Sequence, residues 1–351
     1  MMPFEFGVYL RLWRMALAER RSGGMSPRRR RVVFGALLIA PLLALINAAC
    51  FALDNLIFPG MHRVKVRAPL FIIGHARSGT SLMHRLMTRD EASFVYFRTY
   101  EMLLPSLMQK YLLRGLAILD RRLFASRAAR ALAAWENRTF AKGRQMHPMS
   151  LAGPEEDEFL LALSCASGLW MTLFPYPKAL EDLYYFDQLP PGRRRRTMAF
   201  YRACLKRQLW LYGSDRTHCS KNPVFSGRVA GLIEAFPDAR FVVNVRDPRE
   251  TIPSLLKLVQ SGWKKMDWEE SRQRNCLRIL AEQSWHSYRH PLQCLKENPE
   301  TPGAVVDYRD LVSDPATTIE GVYRALGLPI SDAFRKLLAG EGKRERGRRT
   351  E

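Results

Sequence analysis

The chain has 351 residues, enough for one large α/β domain and an appendage. Lys and Arg number 55 against 34 Asp and Glu, a formal net charge of +21, which suits an acidic membrane surface or a polyanionic ligand. No zinc-finger spacing, RNP-type aromatic motif or basic zipper accompanies the charge, which excludes a dedicated nucleic-acid module. The six cysteines, Cys50, Cys165, Cys204, Cys219, Cys276 and Cys294, form no Cys-x-x-Cys pair and have no His at ligand spacing, so no metal is expected.

Residues 1–60 read as a segment of their own. Phe4, Val8, Leu12 and Met15 fall at helical spacing with Arg11, Arg14 and Arg20 between them, which suits a short interfacial amphipathic helix. Arg28 to Arg31 then precede Val32–Leu53, a stretch of about 22 residues without a charge, long enough to cross a bilayer. The basic flank places the N-terminus in the cytoplasm, and the stretch is too late and too long for a cleaved signal peptide. Pro41 and Asn47 in its middle leave two other readings open: a helix packed on the rest of the chain, or one dipping into a single leaflet.

From Pro69 the chain reads PLFIIGHARSGTSLMHRLMTRD. Leu70 to Ile73 have strand length and composition. Leu82 and Leu86, with Met83 and Met87, recur one turn apart and predict a helix from Thr80 to about Arg89. Strand, glycine-bearing turn and helix aim backbone N–H groups at an anion, and phosphate is the expected guest. Gly74 and Gly79 have the spacing of a Walker A loop, but Thr80 stands where that loop carries Lys. The turn's cation is instead Arg77, with Ser78, Thr80 and Ser81 as hydroxyl donors around it. The run from Arg77 to Leu86 resembles the 5′-phosphosulfate loop of the sulfotransferase family. The resemblance implies that Arg77, Ser78, Gly79, Thr80 and Ser81 bind 3′-phosphoadenosine 5′-phosphosulfate, with Arg77 also acting at the reacting end.

Glu91 to Ala134 read as helical, with Leu103, Leu107 and Tyr111, then Leu116, Leu119 and Leu123, at core spacing. Sulfuryl transfer needs a base for the acceptor's hydroxyl proton, and the resemblance to the tyrosylprotein branch implies Glu101 in that role. Further on, Pro154 is followed by Glu155, Glu156, Asp157 and Glu158, acids that the helix macrodipole favours in a first turn. This stretch also resembles one in bacterial-type sulfotransferases, so Glu155, Glu156 and His147 are alternative bases or acceptor ligands. An aromatic-rich segment, Trp170 to Phe186, reads mostly as core, with one or two rings available for an apolar acceptor.

Thr217 to Pro223 predict a strand entering a turn, more polar than usual at His218 and Ser220. It resembles the family's strand ending in Lys-x-Pro, which implies that Lys221 stabilises charge on the breaking S–O bond. Arg240 to Val245 form a buried-type strand running into Arg246-Asp247-Pro248 and a helix. There the resemblance implies a bidentate 3′-phosphate contact from Arg246, joined by Ser254 two helical turns on. Ala304 to Leu311 and the helix opened by Asp314-Pro315 resemble the closing strand and helix. The lid loop that often covers the family's nucleotide is missing, with Gly340 to Lys343 as its remnant.

The expectation is a three-layer, P-loop-like α/β fold with a mostly parallel sheet over residues 61–335, followed by a basic tail at 336–351. Function follows as transfer of a sulfuryl group to an acceptor hydroxyl or amine, without a metal. The acceptor is a small molecule, lipid or glycan, and the partner surface is a membrane. The rival readings are a kinase-like P-loop enzyme, or a membrane-bound binding protein with a degenerate site. A single span would place the domain in a Golgi-type lumen, with Asn137-Arg138-Thr139 as a glycosylation sequon. Arg- and Ala-rich usage points instead to a bacterial chain, where the donor is cytoplasmic and a monotopic or hairpin anchor is required.

Overall fold

The computed structural model describes residues 3–140 and 150–340. Two helices open it, α1 (Phe6–Arg21) and α2 (Pro27–Ile57). Strand β1 (Leu70–Gly74) leads into α3 (Thr80–Met87), β2 (Phe94–Val95), α4 (Thr99–Leu103), α5 (Leu107–Leu123) and α6 (Arg127–Phe140). After them come α7 (Glu158–Ala162), α8 (Trp170–Leu173), α9 (Pro191–Tyr212), β3 (Thr217–Lys221), α10 (Val229–Ala235) and β4 (Arg240–Val245). The chain continues through α11 (Pro248–Lys265), α12 (Glu270–Glu297), β5 (Gly303–Asp307), α13 (Tyr308–Ser313) and α14 (Pro315–Ala325).

The strands form one sheet in the order β2-β3-β1-β4-β5, and every neighbouring pair is parallel. The apolar run of β1 is central and buried on both faces, as parallel sheets require. Its side chains alternate. Phe71 and Ile73 join Tyr201, Phe225 and Phe241 on one face, while Leu70 and Ile72 meet Met83 and Leu86 of α3 and Ile319 and Val322 of α14 on the other. The chain leaves β1 toward β2 and later returns past it to β4. The carboxyl end of β1 is therefore a topological switch point, where open α/β sheets bind ligands.

Residues 3–60 do not stand apart from this core. The apolar stripe of α1 faces inward, with Val8 and Leu12 buried beside Val33 and Leu37 of α2 and Trp170 and Trp263 of the domain. The stripe of α2 from Arg29 through Val33, Leu37, Ala44 and Phe51 to Asp54 is also buried. Its polar members anchor it: Asn47 donates to the Leu103 carbonyl at 3.1 Å, and Asp54 pairs with buried Arg207 at 2.7 Å. Asp54 further accepts the Leu107 and Met108 N–H groups, each at 2.9 Å, at the head of α5. By length and composition α2 could cross a membrane, but here it lies along the domain with its other face exposed.

A second expectation changes on α5. Leu116, Leu119 and Leu123 have core spacing yet are exposed, because the main packing of α5 is on α2 and α6 and none of the described residues covers its outer stripe.

Asp54→Ala leaves the Arg207 guanidinium buried without its partner and uncaps α5. The expected loss is about 3–5 kcal/mol in urea unfolding, the range for a broken buried pair. A loss below about 1 kcal/mol, the scale of a surface ion pair, would mean that α2 is not integral to the fold.

Candidate active site

β1 ends at Gly74, whose φ is +132°; a Cβ there would sit 2.2 Å from the Asn244 carbonyl oxygen of β4. Only glycine allows that approach. The turn then places Arg77 at φ +74° and Gly79 at φ +90°, and a Cβ on Gly79 would lie 2.6 Å from the Tyr308 ring. Helix α3 begins at Thr80, so the first N–H groups of α3 lack an intrahelical acceptor at the mouth of the turn. The Ser78 hydroxyl is fully buried and has no hydrogen-bond partner among the described residues.

The residues predicted for the two phosphates converge. Arg77 Nε donates to Ser254 Oγ at 3.1 Å, and Arg246 lies 3.5 Å from the Arg77 carbonyl oxygen. The Arg246 guanidinium stacks over the Tyr308 ring at 4.2 Å and pairs with Glu250 at 2.6 Å. Tyr288 donates to the Arg246 carbonyl at 3.0 Å and stacks on His75, with ring centroids 4.9 Å apart. His75, Tyr288 and Tyr308 were not foreseen. The legible signal for Tyr308 was its place immediately after β5, matching that of Arg246 after β4.

On the other side of β1, Lys221 ends β3 opposite Ile72, and the next residue donates from Asn222 N to the Ile72 carbonyl at 3.0 Å. Lys221 is buried, with Nζ 2.9 Å from Glu156 and 3.5 Å from Glu155. The polar strand is buried because the acids beside it supply partners. Asp157 takes His218 Nε2 at 3.0 Å and the Tyr201 hydroxyl at 2.5 Å. Glu158 takes Arg228 at 3.0 Å and Asn222 at 2.9 Å. Cross-chain charge pairing, more than the macrodipole, accounts for this acidic run. Glu155 is sealed, whereas the Glu156 side chain keeps 21% exposure.

Glu101 is fully buried. Its carboxylate accepts from Arg98 N at 2.9 Å, Gln208 at 3.0 Å and the Tyr212 hydroxyl at 2.5 Å, holding the head of α4. That turn bonds across to the acidic segment, through Tyr100 N to Leu151 O at 3.2 Å and Glu155 N to Phe97 O at 3.3 Å. His147 lies outside the described residues. Of the aromatic segment, Trp170, Phe174 and Phe186 are core, and the Tyr184 hydroxyl is bonded to α12.

Away from this edge, Asp187, His290 and Cys294 bring their ligand atoms within 4.8 Å of one another. His290 and Cys294 lie one turn apart on α12, a ligand spacing that the cysteine reading passed over. Asp187 already accepts from Ala230 N, Gly231 N and His290, at 2.9, 2.8 and 2.7 Å. Cys294 Sγ is 3.5 and 3.7 Å from the two His290 ring nitrogens, off the axis of either lone pair. Burial alone would lower the His290 pKa, but its contacts with Asp187 and Cys294 together outweigh that and push it up to about 9. The cluster is a carboxylate–imidazolium pair tying α12 to α10.

Burial pushes His75 down to about 4 and His84 to about 3, so both stay neutral when folded, whereas an unfolded imidazole protonates near 6.5. Their stability contribution is complete above pH 6.5 and is lost as pH falls from there toward 4. The urea midpoint should fall across that window, and His75→Asn and His84→Asn should each flatten the fall. Identical pH profiles for wild type and both variants would contradict the assignment.

A profile of the Sulfotransferase family matches residues 69–332. The omega-hydroxy-beta-dihydromenaquinone-9 sulfotransferases Stf3 of Mycobacterium tuberculosis and Mycobacterium bovis are 28% identical over 270 residues, 74% of this chain and 63% of theirs. The chain thus spans less than two thirds of those relatives. Among solved structures, sulfotransferase STF9 from Mycobacterium avium superposes with a TM-score of 0.71 at 17% identity, covering 97% of this chain and 87% of that one. For sulfotransferase STF1 from Mycobacterium tuberculosis the TM-score is 0.69 at 20% identity, covering 94% and 86%. Both share the fold. The family match runs from the start of β1 past the end of α14, and the chain belongs to the sulfotransferase family.

Proposed function

We propose that the chain transfers a sulfuryl group from 3′-phosphoadenosine 5′-phosphosulfate to a hydroxyl, or an amine, of a membrane-held apolar acceptor. The observation that carries this is the meeting of Arg77, Ser254 and Arg246, from two distant motifs, at the carboxyl edge of the sheet. The turn fits the donor's phosphates: its glycines let it pack closely against Asn244 and Tyr308, and the Ser78 hydroxyl has no hydrogen-bond partner among the described residues.

Arg77, Ser78, Gly79, Thr80 and Ser81 hold the 5′ end, and Arg246 and Ser254 hold the 3′-phosphate. Tyr308 limits the freedom of the Arg246 guanidinium, so less entropy is lost on binding. When bound, the donor supplies the sulfuryl group and a phosphate leaving group. Glu156 accepts the acceptor's proton as the acceptor oxygen attacks sulfur in line, because it is partly open and lies against Lys221. Lys221 stabilises the oxygen that leaves. Glu101, sealed by its own bonds, is a positioning residue for the segment that carries Glu155 and Glu156.

An apolar acceptor is supported by the mycobacterial relatives, whose name carries an omega-hydroxylated menaquinone, and by the exposed apolar face of α2. The domain sits on the cytoplasmic side of the membrane, where a bacterial donor is made. Protease added to the opposite side of intact membranes should leave residues 70–351 uncut; digestion from that side alone would reverse the topology.

Calorimetry should find 3′,5′-ADP bound in preference to AMP and ATP. Arg246→Ala should cost tenfold or more in affinity, since a charged hydrogen bond contributes about 1.5–3 kcal/mol. Preference for ATP would favour the kinase-like reading. Glu156→Gln should lower kcat by about 10²–10⁴, as for loss of a general base, and Lys221→Ala by about 10²–10³, with donor affinity kept. Glu101→Gln should instead lower the melting temperature. A loss of kcat in Glu101→Gln at unchanged stability would return the base to Glu101. Donor binding without turnover on any acceptor would support the degenerate binding protein.

A further inference from the structure

The α5–α6 hairpin is unlike the rest of the surface. Among the described residues, nearly all side chains from Tyr111 to Thr139 are exposed or half-exposed. Leu112, Leu116, Leu119 and Leu123 line one stripe of α5, 47–66% exposed, and Leu132 and Trp135 on α6 are half-exposed. A stripe at this spacing normally faces a core, and contiguous exposed apolar surface of this kind marks an interaction site. It continues onto α2: Phe58, just past α2, stacks on Tyr111 with centroids 5.3 Å apart, and Asp54 caps the head of α5. The outer face of α2 adds Leu38, Leu42, Leu45, Leu53 and Leu56, all exposed.

We propose that this hairpin and the outer face of α2 form one docking surface for a bilayer bearing anionic lipid, with both elements lying in the plane of one leaflet. Charge selects the occupant. The hairpin carries Arg114, Arg121, Arg122, Arg127, Arg130 and Arg138 against Asp120 and Glu136, and the first turns of α2 carry exposed Arg28, Arg30 and Arg31. Apolar residues interleaved with arginines are the composition of interfacial helices, whose arginines reach the headgroups. A second copy of the chain would instead bring like charge against like on a molecule of net charge +21. The surface also leads to the reaction centre. Lys110, in the first turns of α5, bonds to Gln208, which donates to Glu101 at 3.0 Å beside the segment bearing Glu155.

The docking surface is testable apart from the catalytic reading, through flotation of the full chain with vesicles of phosphatidylcholine, with and without phosphatidylglycerol. Wild type should float with the anionic vesicles and be released by salt. The exposed-site variant Leu116→Glu/Leu119→Glu/Leu123→Glu should lose about tenfold or more in vesicle affinity, as expected when buried apolar area is removed from an interfacial helix. Its 3′,5′-ADP affinity should not change. Arg121→Glu/Arg122→Glu/Arg130→Glu should lose the preference for anionic lipid, which keeps the test open if the leucine variant fails to fold. Leucine and arginine variants that both float like wild type would overturn the proposal. So would a wild-type dimer, seen by sedimentation, that the leucine variant splits without losing vesicle binding. Failure of nucleotide binding in wild type would count against the sulfotransferase activity and leave this surface standing.

Discussion

The close approach of β4 to β1 at Gly74 is the contact on which the corner that joins Arg77, Ser254 and Arg246 depends. With a Cβ there, the Asn244 carbonyl would be 2.2 Å away and the strands would have to part. Because they do not, the turn after β1 folds toward the end of β4, and Arg77 comes within hydrogen-bond reach of Ser254. Arg77 holds a left-handed backbone that costs a non-glycine residue about 1–3 kcal/mol. Its bond to Ser254 and the nearness of Arg246 to its carbonyl offset that strain. The shape of this corner is therefore set by one missing methyl group and two contacts made far along the chain.

On the other side of β1 the organising problem is buried charge. An uncompensated ion is costly to remove from water, so each must have a partner close by. The segment from Glu155 to Glu158 meets that condition by pairing with Lys221 and His218 of strand β3 and with Arg228 beyond it. Neither would be stable at this burial without the other. Two carboxylates hold the Lys221 ammonium at the edge of the sheet, and one of them, Glu156, remains partly open to solvent. Glu101 supports the arrangement from behind by holding the turn on which the acidic segment leans.

The N-terminal helices solve a different problem. A surface helix of a soluble protein buries its apolar face and shows its polar one. Helix α2 uses Arg29, Asn47 and Asp54 as anchors within its buried stripe and turns leucines outward. The α5–α6 hairpin extends the outward surface, and its arginines keep it compatible with water at its margins.

Much of this was local and therefore legible. Apolar runs of strand length, glycines at a turn, and Pro-marked helix starts are short-range patterns, and they located β1, α3, β3, β4, β5 and the parallel sheet. The placement of Arg77, Arg246 and Ser254 followed from two motifs, each a few residues long. The two-residue strand β2 was lost inside a helical pattern, because tertiary pairing with β3, not propensity, makes it a strand. Periodicity found the stripe of Leu116, Leu119 and Leu123 but could not say whether anything would cover it. Composition found a span-length helix but not the anchors that lay it along the domain. Sequence by itself determined the elements, the glycine-bearing turn and the Arg246–Ser254 motif, and the family resemblance. Only the tertiary structure decided which carboxylate faces Lys221 and which helix faces stay bare, because burial and charge pairing depend on neighbours that are distant in the chain.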